Sequence, residues 1–199
     1  MDILTTLGRT LGFSFAAGLN LYATVAILGL ASRYHWVTLP PQFQAFDNSW
    51  VIGVAVVMYL VEFLADKIPW VDSLWDAVHT VIRPIGGAVI AVVALGHASP
   101  TVETLVALLG GAVAASSHLT KAGTRAFVNT SPEPFSNWIL SFLEDVLVVA
   151  LGWVTLQHPI IALVIATVLL ILIAFFARFL ISSIRRLFGG QRTAAAGSP

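Results

Sequence analysis

From Ile160 to Ala177 the chain holds eighteen consecutive residues without a charge. About 20 mostly apolar residues form a helix long enough to cross a hydrocarbon core roughly 30 Å thick. In lipid the backbone must satisfy its own hydrogen bonds, which leaves helices or closed barrels. The rest of the sequence reads as helices of the same kind. Of 199 residues, 58% are hydrophobic and 10% charged, ten basic and ten acidic. A soluble domain carries about a quarter charged residues, and mean hydropathy here is +0.90. A disordered chain is excluded, and balanced charge with no basic tract argues against a nucleic-acid partner. With no Cys there is no disulfide framework, thiolate nucleophile or Cys-based metal site. The expected class is an all-α, polytopic membrane protein with the lipid bilayer as its partner.

Six helices are expected. Leu11 to Ala31 has the length to cross, interrupted by Ser14, Asn20 and Thr24. Trp50 to Ala65 is shorter and contains Glu62, and Trp138 to Leu156 contains Glu144 and Asp145. Two further apolar runs, Pro84 to Gly96 and Thr104 to Ser117, reach only about 20 Å as helices. Each crosses only by recruiting polar neighbours. Asp72 is a good N-cap after Pro69, Ser73 to Arg83 can run helically into Pro84, and Ser117 to Asn129 can prolong the other run. With six crossings and a cytoplasmic N-terminus, nine basic residues fall on the inner side and only Arg33 outside, the bias that positive-inside topology demands. The expectation is therefore both termini cytoplasmic. One transmembrane domain covers 1–187, and 188–199 form a disordered cytoplasmic tail rich in Gly, Ala and Ser. The first residues lack the basic n-region of a cleaved signal.

The count permits two inverted three-helix halves, 1–98 and 99–187. Ala17-Gly18-Leu19-Asn20-Leu21-Tyr22 resembles Ala122-Gly123-Thr124-Arg125-Ala126-Phe127, and Ser49-Trp50-Val51 resembles Asn137-Trp138-Ile139. Tyr34, Trp36, Phe43, Phe46 and Trp50 flank the first outer loop as an aromatic interfacial belt would; packing on the protein's own surface explains them equally. His35, His97 and His158 fall near outer helix ends.

Charge concentrates beside the two short runs. Glu62 and Asp66 share one helix face, and Asp72, Asp76, His79 and Arg83 follow at steps of four, three and four. A carboxylate at membrane depth is expensive and faces a cavity or a partner. A solvated amphipathic helix on the membrane surface, with Trp70 and Trp75 at the interface, is the plainer alternative. His118, Lys121, Arg125 and Asn129 form a second stripe at spacings of three, four and four. Its cations suit phosphate or carboxylate, so this stripe, with Asn20, is the candidate binding site for an anionic small molecule or lipid headgroup. Positive-inside anchoring is the alternative. Ser131-Pro132-Glu133-Pro134 reads as a rigid turn before a helix capped by Ser136 or Asn137. Glu144 and Asp145 point about 100° apart, so one can pair with Lys121 or Arg125 while the other carries a proton. Proton coupling or ion pairing is thus the expected role of Glu62, Asp66, Asp76, His79, Arg83, Glu144 and Asp145.

Three segments carry a family resemblance. They are Ala17 to Tyr22; Val61 to Lys67 followed by Asp72-Ser73-Leu74-Trp75-Asp76; and Lys121 to Arg125 with Ser131 to Pro134. Over about residues 5 to 185 the chain resembles a bacterial membrane family catalogued as domain of unknown function 4126. The resemblance implies a multi-pass inner-membrane protein and brings no activity, substrate or catalytic residue. The functional expectation is a small transporter or lipid- or anion-handling protein. The alternative is a non-catalytic assembly subunit that docks a partner. An intramembrane enzyme is disfavoured. Asp72 and Asp76 lack the Gly and Arg context of metal-dependent phosphotransferases, and Arg83-Pro84 lacks the other elements of membrane phosphatases. No His-Glu-x-x-His arrangement occurs, so no metal, cofactor or catalytic residue is expected. A homodimer is an expectation from small size alone.

Overall fold

A computed structural model of the chain describes residues 2–130 and 135–195, the side chains of residue 180 and of residues 183–195 excepted. Seven α-helices run in order: α1 (Ile3–Leu19), α2 (Leu21–Arg33), α3 (Ser49–Ala65), α4 (Pro69–Leu95), α5 (Pro100–Val128), α6 (Phe135–Gln157) and α7 (Pro159–Ala195). A single 3-10 segment, Pro41–Phe46, precedes α3. No strand occurs among the described residues.

Among the described residues, four helices are long and apolar enough to cross a membrane: α4, α5, α6, and α7 over Pro159–Phe179. The polar neighbours do lengthen the two short runs. α4 has 27 residues and α5 has 29, about 40 Å each at 1.5 Å per residue. α4 begins with Pro69 at its first turn rather than at Asp72, since Pro suits a position whose N–H has no helical partner. It also continues through Pro84. α3, with 17 residues, reaches about 25 Å.

The run Leu11 to Ala31 is not one crossing. Asn20 is extended (φ −150°, ψ 102°) and separates α1 from α2. Its side chain accepts from the Ala23 N–H at 2.9 Å and so caps α2, the role for which Asn is favoured. Backbone contacts give the direction of each piece. Gly8 presses on the Pro159 carbonyl, Gly12 on Thr155 and Gly18 on Ala114 and Ser117. In α2 the order reverses: Ile27 meets Gly152, Gly29 meets Ile52 and Phe46, and Arg33 reaches Asp47. The two helices form a hairpin whose tip, Gly18 to Tyr22, lies inside the bundle. Its open end shares one end of the bundle with the α4–α5 and α6–α7 junctions. That end is called the loop end. α7 runs parallel to α1 and continues past its tip, so α1 begins and α7 ends at opposite ends of the bundle. The helices are thus arranged as a hairpin followed by five further helices. The two segments matched in sequence differ locally: Ala17 to Tyr22 turns a corner, whereas Ala122 to Phe127 lies within unbroken α5.

Small residues let the inner helices approach. Gly87 and Ala91 of α4 pack on Gly110 and Ala114 of α5, and the Ser14 hydroxyl of α1 donates to the Gly87 carbonyl at 3.2 Å. Such small-residue spacings drive helix association in lipid. Phe43 and Phe46 are buried with Phe13, Leu28 and Ile90, whereas Tyr34, Trp36 and Trp50 stay exposed. Only part of the expected aromatic belt therefore faces outward. α7 continues to Ala195, through much of the segment expected to be disordered; residues 196–199 lie outside the described residues. The turn expected at 131–134 also lies outside them, and α6 is already helical at Phe135, so Asn137 sits within the helix rather than capping it.

Candidate functional site

At the end of the bundle away from the loop end, α3, α4, α5 and α6 converge on the hairpin tip. Each delivers its polar face inward. The steps of three and four read from the sequence place Asp72, Asp76, His79 and Arg83 on the buried face of α4, and His118, Lys121 and Arg125 on that of α5. Glu62, Arg83 and His118 have no exposed surface. The α4 helix is therefore packed inside the bundle along this face rather than lying on the membrane surface.

The charges alternate as a ladder. Arg83 donates from Nη2 to Glu62 Oε1 at 2.8 Å and from Nη1 to Asp76 Oδ1 at 3.2 Å. Lys121 Nζ lies 3.3 Å from Glu62 Oε1, 3.2 Å from Asp66 Oδ2 and 3.7 Å from Glu144 Oε2. Arg125 Nη2 reaches Asp66 Oδ2 at 2.9 Å and Glu144 Oε2 at 2.6 Å. Its Nη1 donates to Asn137 Oδ1 at 2.8 Å and to the Asp66 carbonyl at 2.9 Å. Asp72 stands 3.9 Å from Arg125 and accepts from Asn129 Nδ2 at 2.7 Å. The ladder also grips the hairpin: Arg83 Nη1 is 3.5 Å from the Gly18 carbonyl, and Lys121 Nζ is 3.3 Å from that of Leu19. Those carbonyls end α1, where the helix dipole is negative and cations are favoured.

Both histidines have assignable tautomers. Arg83 Nη1 lies 2.6 Å from His118 Nδ1. A guanidinium only donates, so this nitrogen accepts and His118 Nε2 carries the hydrogen toward Thr80 Oγ1, 3.1 Å away. His79 Nδ1 faces the Trp75 carbonyl at 2.7 Å and must donate, which leaves Nε2 to accept from the Tyr22 hydroxyl at 3.0 Å. Tyr22 opens α2, so the hairpin is held on its returning side too.

The arrangement does not offer an anion site. The donors of Lys121 and Arg125 already face carboxylates, carbonyls and Asn137, Asn129 is committed to Asp72, and Asn20 caps a helix. The spare capacity is acidic. Five carboxylates (Glu62, Asp66, Asp72, Asp76, Glu144) meet three cations (Arg83, Lys121, Arg125), an excess of two negative charges. Glu62 Oε2, Asp66 Oδ1, Asp72 Oδ1 and Asp76 Oδ2 are buried without a hydrogen-bond partner. Buried acceptors of this kind are costly. Asp145 is half-buried beside the ladder, and no described group donates to its Oδ2. No group of three or more metal-ligating side chains occurs among the described residues.

Sequence reasoning found the members of the ladder and anticipated Glu144 beside Lys121 and Arg125, but not the pairs made by Glu62, Asp66 and Arg83. Glu62 and Arg83 are 21 residues apart on different helices, so no spacing rule links them. Tyr22 and Lys67 have no site role in the sequence reading. Lys67, in the α3–α4 connection, donates to the Phe63 carbonyl at 2.9 Å and lies 3.1 Å from the Phe63 ring centre. Burial holds its ammonium below the usual lysine pKa, with the Asp145 charge pulling the other way.

An all-helical bundle with four membrane-length apolar helices and a charged interior defines an integral membrane protein. Residues 7–179 match the model of the domain of unknown function family DUF4126, and the chain belongs to that family. No curated protein and no solved structure matches it.

Proposed function

We propose that this chain is a small proton-coupled transporter, and that its working site is the ladder under the hairpin tip. One observation carries the reading: five carboxylates face three cations, with four buried carboxylate oxygens that accept no hydrogen bond. At membrane depth such an excess needs two more positive charges, and ionisable groups there mark ion and proton pathways. A broken helix whose terminal carbonyls meet the ladder is the arrangement that transporters use at their sites. The ladder end faces the cytoplasm, because eight of the ten basic residues lie toward it and only Arg9 and Arg33 toward the loop end.

Infrared spectroscopy of the purified protein in lipid tests this, since a protonated carboxyl gives a C=O stretch that a carboxylate lacks. Two such signals per chain at neutral pH, shifting on exchange into D2O, are expected. A spectrum with only carboxylate bands would refute proton carriage and leave a purely structural ladder.

A further inference from the structure

α3 is held differently at its two ends. At the loop end Ile52 fills the space beside Gly29 of α2, Ala55 is buried, and Ser49 Oγ accepts from Arg33 Nη2 at 3.1 Å. Beyond Ala55 the buried side chains are Glu62, Ala65 and Asp66, while Tyr59 and Phe63 are half-buried. No apolar side chain larger than alanine is buried in this half, and Val57, Leu60, Val61 and Leu64 face outward. The α3 backbone runs along α2, touches α4 lightly and barely approaches α6. The ladder half is therefore fastened by charge. Glu62 meets Arg83 at 2.8 Å and Lys121 at 3.3 Å, and Asp66 meets Lys121 at 3.2 Å and Arg125 at 2.9 Å. Arg125 and Asn137 also donate to the Asp66 carbonyl, at 2.9 and 3.0 Å.

The cations do not depend on α3 in return. Arg83 keeps Asp76 at 3.2 Å, Lys121 keeps Glu144 at 3.7 Å, and Arg125 keeps Glu144 at 2.6 Å and Asp72 at 3.9 Å. Without Glu62 and Asp66, three carboxylates (Asp72, Asp76, Glu144) meet three cations. Of the four helices that build the ladder, only α3 can withdraw its charges and leave the rest in balance. We propose that α3 is the moving helix of this site. It is pinned against α2 at the loop end, latched by Glu62 and Asp66 at the ladder end, and tilts outward when those two charges are neutralised. The link to α4 is a tight turn, in which Lys67 N–H donates to the Leu64 carbonyl and Ile68 N–H to that of Ala65. Extended, it would span about 13 Å, slack enough for the tilt. In lipid, parting two apolar helix faces carries no hydrophobic penalty. The tilt opens the ladder between α3 and α6, where Lys67 Nζ and Ser141 Oγ now stand 3.5 Å apart. This assignment rests on the transporter reading and names the element whose motion gives access to the same site.

Distances between paired spin labels on the full chain in lipid nanodiscs, read by double electron–electron resonance, test it. Leu64→Cys with Phe142→Cys reports the ladder ends of α3 and α6, and Trp50→Cys with Trp153→Cys reports their loop ends. All four native side chains are exposed. Glu62→Gln combined with Asp66→Asn should add a ladder-end population longer by roughly 5 Å, about one helical turn, and leave the loop-end distance unchanged. Asp72→Asn combined with Asp76→Asn removes as much charge from α4 and should leave both distances as in the wild type. Asp66→Asn alone should give the longer population at lower occupancy, and keeps the test valid if the double α3 variant does not fold. An unchanged ladder-end distance in the α3 variants, an equal change at the loop end, or the same displacement in the α4 variant overturns the proposal. Protonated carboxyls without displacement would end this assignment and leave proton carriage standing. Displacement without protonated carboxyls would do the reverse.

Discussion

At the loop end, Gly8 and Gly12 of α1 let its backbone press against Pro159 and Thr155, and Phe13 meets Phe43 with ring centres 6.0 Å apart. At the other end the same bundle is filled by five carboxylates, three cations and two histidines. The loop end has its own ion pair, Arg33 with Asp47 at 2.8 Å, but those side chains are 33% and 32% exposed, against none for Arg83 and Glu62. Apolar packing holds α1 where it enters the bundle, and charge holds it where it turns. Packing alone could have served at both ends, since replacing buried ion pairs by apolar residues is often neutral or stabilising. A ladder with surplus acceptors next to a helix break suits a site that changes its charge.

The sharpest way to break this comparison is Arg83→Met. It leaves Glu62 and Asp76 buried without their guanidinium and releases the Gly18 carbonyl. A loss of about 3–5 kcal/mol is expected in denaturant unfolding, enough to threaten folding. Gly8→Ala attacks the opposite end. Its Cβ would occupy the space of the Pro159 carbonyl, so α1 and α7 must part, at a cost of about 1–3 kcal/mol in the same assay. Arg33→Ala removes the exposed pair and should cost about 0.2–1 kcal/mol. If it costs as much as Arg83→Met, burial is not what separates the two ends. Lys67 gives the smallest effect. Its folded-state pKa is lowered by burial, so the folded chain binds this proton less tightly than the unfolded one. Wild-type stability relative to Lys67→Met should therefore rise as pH rises toward about 10.4, the unfolded value. Thermal melts of both proteins over alkaline pH will check the sign.

Much of this was legible in the sequence. The lengths of α4 and α5 follow from apolar runs too short to cross unaided, and the spacing of Asp72, Asp76, His79 and Arg83 assigns one buried face. Helix period reports which residues share a side, but not which helix that side meets. That is why Lys121 and Arg125 read as an anion site until Glu62, Asp66 and Glu144 stood opposite them. The hairpin was hidden for another reason. Asn20 amid apolar residues is tolerable in a crossing helix, so hydropathy merges α1 and α2. Only its N-cap preference, beside Gly18, hints at the break.

The chain contains no cysteine, so single cysteines can report its topology on an otherwise unreactive background. The hairpin predicts that Ile3→Cys and His35→Cys react with a membrane-impermeant maleimide from the same side of sealed vesicles, while Lys67→Cys reacts only from the other. Labelling of Ile3→Cys and His35→Cys from opposite sides would contradict the hairpin, and with it the placement of its tip in the charged ladder.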